Sequence, residues 1–91
     1  MTFLLERLRN ELSRMKSPLA QRMENLEQTI EGITNRLEEL NHLLAQPDTY
    51  GNGTDIRQLN REYAELKSSL EENSQQWEET AIKLEALEES F

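Results

Sequence analysis

Five cations near the start of the chain, Arg7, Arg9, Arg14, Lys16 and Arg22, point most directly to a chemistry, that of phosphate contact. Only Glu6 and Glu11 offset them, so residues 1 to 22 carry about +3 while the whole chain carries −8, leaving the rest near −11. An acidic body repels nucleic acid and anionic membrane, whereas a basic end attracts phosphate, so nucleic-acid contact is expected at that end alone. The plain alternative for the same five residues is a solvated helix face.

Catalytic chemistry is harder to assemble. His42 is the single imidazole and lies beside a loop, so neither a triad nor a multi-histidine metal site can be built around it, and a surface or loop-packing role is expected. Glu38-Glu39, Glu71-Glu72 and Glu78-Glu79 are paired carboxylates, but adjacent residues on a helix point in different directions and read as solvated faces. Gly51-Asn52-Gly53 is too short for a phosphate loop and has no Lys-Ser or Lys-Thr after it, so it reads as a turn. Tyr63 and Trp77 have rings able to stack on bases, yet both fall on an apolar seam and are expected in the core. Tyr50 and Asn52, at an exposed tip without seam partners, are the better contact candidates of the loop. No catalytic residue, metal ligand or cofactor site is expected, and the chain is not expected to be an enzyme.

The elements that must position the cations follow from composition and periodicity. With 91 residues, 35% apolar and 31% charged, and only three Gly and two Pro, there is room for one domain of long helices. A mean hydropathy of −0.84 allows a buried stripe rather than a thick core. The lack of Cys excludes disulfides, thiolate zinc sites and thiol nucleophiles and fits a reducing compartment. Glu6 and Arg7 cut short the apolar start at Met1 to Leu5, and no stretch approaches membrane-spanning length, so a soluble, cytoplasmic protein is expected.

Met23, Leu26, Ile30, Ile33, Leu37, Leu40 and Leu44 alternate steps of three and four, which is a heptad seam. The same alternation runs through Ile56, Leu59, Tyr63, Leu66, Leu70, Asn73, Trp77, Thr80, Leu84, Leu87 and Phe91, where Asn73 reads as a register device. A shorter run, Leu5, Leu8, Leu12 and Met15, is out of phase, and Pro18 after a Ser17 cap suggests a helix break. The expectation is an all-α antiparallel two-helix coiled-coil hairpin with an additional short N-terminal helix. Its parts are a basic helix over 1–16, a hairpin helix over 18–46, a tip loop over 47–54 and a return helix over 55–91, capped by Asp55 with Gln58 at capping-box spacing. Gly32 falls inside the hairpin helix at a cost of about 1 kcal/mol relative to Ala. Placing Leu44 opposite Ile56 sets Met23 against Trp77, sets Trp77 beside the Pro18 break, lays the opening helix along Leu84 to Phe91 and gives every large apolar group a partner. Arms of this length would reach roughly 40 to 50 Å.

Specific residues also carry a family resemblance. Glu11-Leu12, Lys16-Ser17-Pro18-Leu19 and Leu26-Glu27, the tip Leu44-Ala45-Gln46-Pro47-Asp48-Thr49-Tyr50, and Trp77-Glu78-Glu79 with Leu84-Glu85-Ala86-Leu87 together resemble the C-terminal coiled-coil domain of ABC-F ATPases of the Uup and YheS types. The resemblance implies a piece of a larger cytoplasmic ATPase whose ATP and magnesium sites lie upstream, with Met1 then the start of the piece. It implies a non-catalytic module that touches DNA or ribosomal RNA, acts in translation, and has the parent's ATPase domains as partners, with neither membrane nor small-molecule substrate. Arg7, Arg9, Arg14, Lys16 and Arg22 match the family's basic helix, although the acidity of the rest departs from its pattern. Arg61-Glu62-Tyr63-Ala64-Glu65-Leu66 and the Pro47-Asp48 tip also resemble the N-terminal helical domain of bacterial peptide chain release factors, a second and lower-ranked resemblance. A structural or protein-interaction spacer is the alternative of a different class.

Overall fold

A computed structural model describes residues 2–48 and 55–90, with side chains from Leu4 to Asp48 and from Asp55 to Glu89. Two helices, α1 (Thr2–Ala45) and α2 (Ile56–Ser90), account for nearly all of it. They lie antiparallel: Lys16, early in α1, meets Glu88 at the end of α2, while Arg36, late in α1, meets Glu62 near the start of α2. The expected hairpin is therefore present, drawn out to 74 × 15 × 14 Å.

Both seams lie between the helices. Leu26, Ile33, Leu37 and Leu40 are buried, Leu40 completely at 0% exposure, and Ile56, Leu59, Tyr63, Leu66, Leu70, Trp77, Leu84 and Leu87 are half-buried against them. The two polar seam residues of α2 are satisfied within their own helix. Asn73 Nδ2 donates to the Ser69 carbonyl at 2.7 Å, and the Thr80 hydroxyl, only 3% exposed, donates to the Gln76 carbonyl at 2.7 Å. Neither leaves an unpaired group in the seam, where it would cost about 1–3 kcal/mol, and the Asn73 bonds do not cross to α1 as a register device would require.

The expected break at Ser17-Pro18 does not occur: α1 runs through Pro18, so the basic helix over 1–16 and the hairpin helix over 18–46 are one element. The reason lies in the phase of the seam. Counting back from Leu26, the half-buried positions are Met23, Leu19, Lys16 and Leu12, an unbroken alternation of four and three. Leu8 and Met15, which look out of phase, are not the seam; Lys16 takes the inward position and leaves Met15 half exposed at 50%. Proline on the exposed face loses one backbone hydrogen bond, at a cost of about 3 kcal/mol, and burial of the flanking seam residues on both sides of it opposes that cost.

Other expectations at this level are also corrected. Trp77 does not stand beside a helix break, since α1 is continuous at Pro18; its indole N–H donates to Glu27 Oε1 at 3.0 Å, one turn nearer the tip than Met23. The rod exceeds 40 to 50 Å because α1, at 44 residues, is unbroken and outruns the 35 residues of α2. At the open end the large apolar groups do not all find partners. Leu4, Leu5 and Leu8 are 63%, 62% and 45% exposed, and Ile82 is exposed as well.

At the closed end α1 finishes with a tightened turn, Gln46 N donating to the Leu43 carbonyl at 3.2 Å just before Pro47. Asp55 caps α2 as its sequence position suggests: Oδ1 accepts from the backbone N–H groups of Arg57 at 3.1 Å and Gln58 at 3.3 Å. Thr49 to Thr54, including the tip candidates Tyr50 and Asn52, lie outside the described residues.

Candidate nucleic-acid interface

The five cations all stand on the open-end half of α1, but the helix does not present them together. At about 100° per residue, Arg7 and Arg14 nearly eclipse one another on the side turned away from α2, while Arg22, some 60 to 80° round from them, immediately precedes the seam residue Met23 and flanks the interface. Arg9 and Lys16, also seven residues apart, stand instead beside the seam. The expected single basic patch is thus divided: Arg7, Arg14 and Arg22 are exposed, the first two facing outward and Arg22 on their flank, while Arg9 and Lys16 form a seam-side pair.

Their commitments differ. Arg7 makes a loose pair with Glu11 at 3.8 Å, both side chains well exposed, a contact contributing at most about 0.5 kcal/mol and easily exchanged for another anion. Lys16 Nζ is held by Glu88 Oε1 at 3.0 Å across the hairpin. That places it in the fold's own electrostatics and makes it the least available of the five. Arg9 sits at the rim of two shallow hollows, one shaped with Leu5, Leu8 and Leu12 and the other with Leu12, Ser13, Lys16, Ser17 and Ala20.

A cation that sequence reasoning missed makes the most extensive ion-pair contacts among the described residues. Arg36 donates from Nε to Glu62 Oε1 at 2.7 Å and from Nη2 to Glu62 Oε2 at 3.0 Å, a two-point clamp across the hairpin, while Nη1 reaches Glu39 at 2.8 Å. The hydrogen bonds from Arg36 hold the Glu62 carboxyl below its ordinary range, and the bonds to Glu62 and then Glu39 raise the guanidinium further above its own. The signal was present in the sequence: Arg36 immediately precedes the seam residue Leu37, and Glu62 immediately precedes Tyr63, so both flank the interface.

The remaining candidates behave simply. His42 is exposed, and its Nε2 accepts from Gln46 Nε2 at 2.7 Å, just past the end of α1. Tyr63 and Trp77 are half-buried at seam positions, with the Lys67 ammonium 5.8 Å from the Tyr63 ring centre. Among the described residues no cluster of three or more His, Cys, Asp or Glu is placed to hold a metal. Among them also, no helix is long and apolar enough to cross a membrane.

Residues 14–81 match the profile of the ABC transporter C-terminal domain. The chain belongs to that family. The ABC transporter C-terminal domain match begins at Arg14 and so takes in Arg14, Lys16, Arg22 and the paired seams, while Arg7, Arg9 and the exposed leucines of the open end precede it. It also decides between the two resemblances in favour of the ABC proteins, whose ATPase domains are the partners that membership suggests. No curated protein and no solved structure is found to match the chain.

Proposed function

We propose that this domain is a non-catalytic, cytoplasmic module of an ABC-F type ATPase that contacts DNA or ribosomal RNA and acts in translation. The observation that carries the reading is the set of exposed cations Arg7, Arg14 and Arg22 at one end of an otherwise acidic rod. A rod some 74 Å long with these cations at one end touches phosphate with that end and keeps its acidic body clear. Arg9 and Lys16 contribute less, because one borders an apolar hollow and the other is held by Glu88. The module itself binds no cofactor; ATP and magnesium belong to the parent's nucleotide-binding domains.

A salt titration tests it. Three phosphate contacts predict a slope of about −2 to −3 in log affinity against log salt for RNA or DNA. Reversing Arg7, Arg14 and Arg22 to Glu is expected to remove measurable binding, while reversing Lys16 mainly lowers stability. Affinity that ignores both salt and the reversal sinks the proposal, and ATP turnover by the purified chain would sink its non-catalytic part.

A further inference from the structure

The start of α2 is sorted by charge. Arg57, Asn60, Arg61, Ala64, Lys67 and Ser68 are spaced so that they fall on one side of the helix, turned away from the seam, and all six are exposed. Three of them are cations and none is a carboxylate. The acids of the same stretch stand on the other side, where Asp55 is spent on the helix cap and Glu62 on the clamp with Arg36. Glu65 borders the stripe one turn after Arg61, and Glu71, Glu78 and Glu85 continue the same side of the helix as acids. Among the described residues neither Arg57 nor Arg61 makes an ion pair, and the Lys67 ammonium lies 5.8 Å from the centre of the Tyr63 ring. Helix stability does not account for Arg57 and Arg61, because the first turns of a helix favour negative charge over positive.

The stripe has a fixed place relative to the open end. Arg61 adjoins Glu62, which is clamped to Arg36, and Arg36 follows Arg14 by 22 residues on α1. The two sets of cations therefore stand about 33 Å apart along the rod, on outer faces of opposite helices. A stiff duplex lying along one face does not reach both, whereas a flexible single strand can cross a rod only 15 Å thick.

We propose that Arg57, Arg61 and Lys67 form a second phosphate contact, engaged by a single-stranded nucleic acid already held at the open end. The inference rests on the reading of the open end as a nucleic-acid surface. A protein partner finds no apolar group on the stripe beyond the Ala64 methyl and so has no core to bury there. Asn60 and Ser68 between the cations carry the polar hydrogens that phosphate oxygens accept alongside those of Arg and Lys. Three cations bounded by Glu65 and Glu71 hold a strand weakly by themselves, and a strand tethered at the open end meets them at a high effective concentration.

The test uses the whole 91-residue chain and the fluorescence anisotropy of labelled single-stranded RNA in two lengths. RNA of about 8 nucleotides covers the open end alone, and RNA of about 30 reaches both sets of cations. The variant combines Arg57→Gln, Arg61→Gln and Lys67→Gln; all three side chains are exposed, and circular dichroism checks that the hairpin is kept. For the long RNA it is expected to lose affinity at least about tenfold and to flatten the slope of log affinity against log salt by about 2. For the short RNA its affinity stays that of the parent. Equal loss at both lengths overturns the proposal, because it reports only the change in net charge, and so does no loss at either length. A long duplex weakened as much as the long single strand also overturns it. RNA that binds the parent through Arg7, Arg14 and Arg22 but ignores the stripe sinks this inference alone, whereas a parent that binds neither RNA sinks the reading of the open end and this inference with it.

Discussion

Arg36 spans the hairpin with a two-point clamp on Glu62 and keeps a third donor for Glu39, an arrangement whose geometry suits a planar guanidinium and not an ammonium. Because the folded state holds Glu62 below its ordinary value of 4.5, the clamp contributes in full above that value and is lost as pH falls through the lowered one. Glu62→Gln is therefore expected to lower the melting temperature at neutral pH, and its deficit against the parent should shrink steadily below pH 4.5 in thermal circular dichroism. Arg36→Lys should lose part of the same stabilisation. Leu40, the one completely buried side chain among those described, represents the opposite kind of contribution. Leu40→Ala should cost about 2–5 kcal/mol in urea unfolding, much of what a small domain has to lose.

At the scale of the helix, α1 tolerates two residues that ordinarily disfavour helix. Pro18 lies on the exposed face with seam residues on either side, so the helix continues over the missing hydrogen bond. Pro18→Ala restores that bond and should stabilise the protein by as much as about 3 kcal/mol. Gly32 is also on an exposed face, and a Cβ built there meets nothing within 4 Å. Gly32→Ala should therefore gain about 1 kcal/mol with no change in nucleic-acid affinity. Both are read by denaturant unfolding, and a loss of stability at Gly32 would mean that its open face is occupied in solution. The α2 start depends on a single cap, so Asp55→Ala should cost roughly 1 kcal/mol.

As a whole molecule the domain is a thin rod with an acidic shaft, its helices joined at one end and, at the other, α1 extending past Ser90, the last described residue of α2. Its two ends differ in charge and in apolar exposure, and such a polarity suits a strut anchored at one end. Spin labels replacing Arg22 and Lys83, both exposed on opposite helices near the open end, should remain close in the monomer. Labels at Leu5 and Arg57 should report a separation spanning most of the rod. A short second distance would mean that α1 folds back at Pro18, contrary to the continuous helix.

The seam from Met23 to Leu44, the matching seam from Ile56 to Leu87, the Asp55 cap and the hairpin they imply were legible in the sequence, because each is a local periodicity or a local hydrogen bond. The Pro-Leu and Trp blocks likewise pointed to the ABC proteins before any fold was known. Only the tertiary structure decided what happens before Met23. Two stripes compete there on one helix, Leu8 with Met15 and Arg9 with Lys16, and nothing in their spacing says which faces inward. The phase of the paired seam further along, carried rigidly back through Pro18, turns Lys16 to Glu88 and leaves Met15 half exposed. That choice divides the cations, Arg9 and Lys16 to the seam side and Arg7 and Arg14 to the outer face. It depends on the register in which α2 lies along α1, fixed by contacts such as Trp77 to Glu27 between residues 50 apart in sequence, which no local pattern encodes.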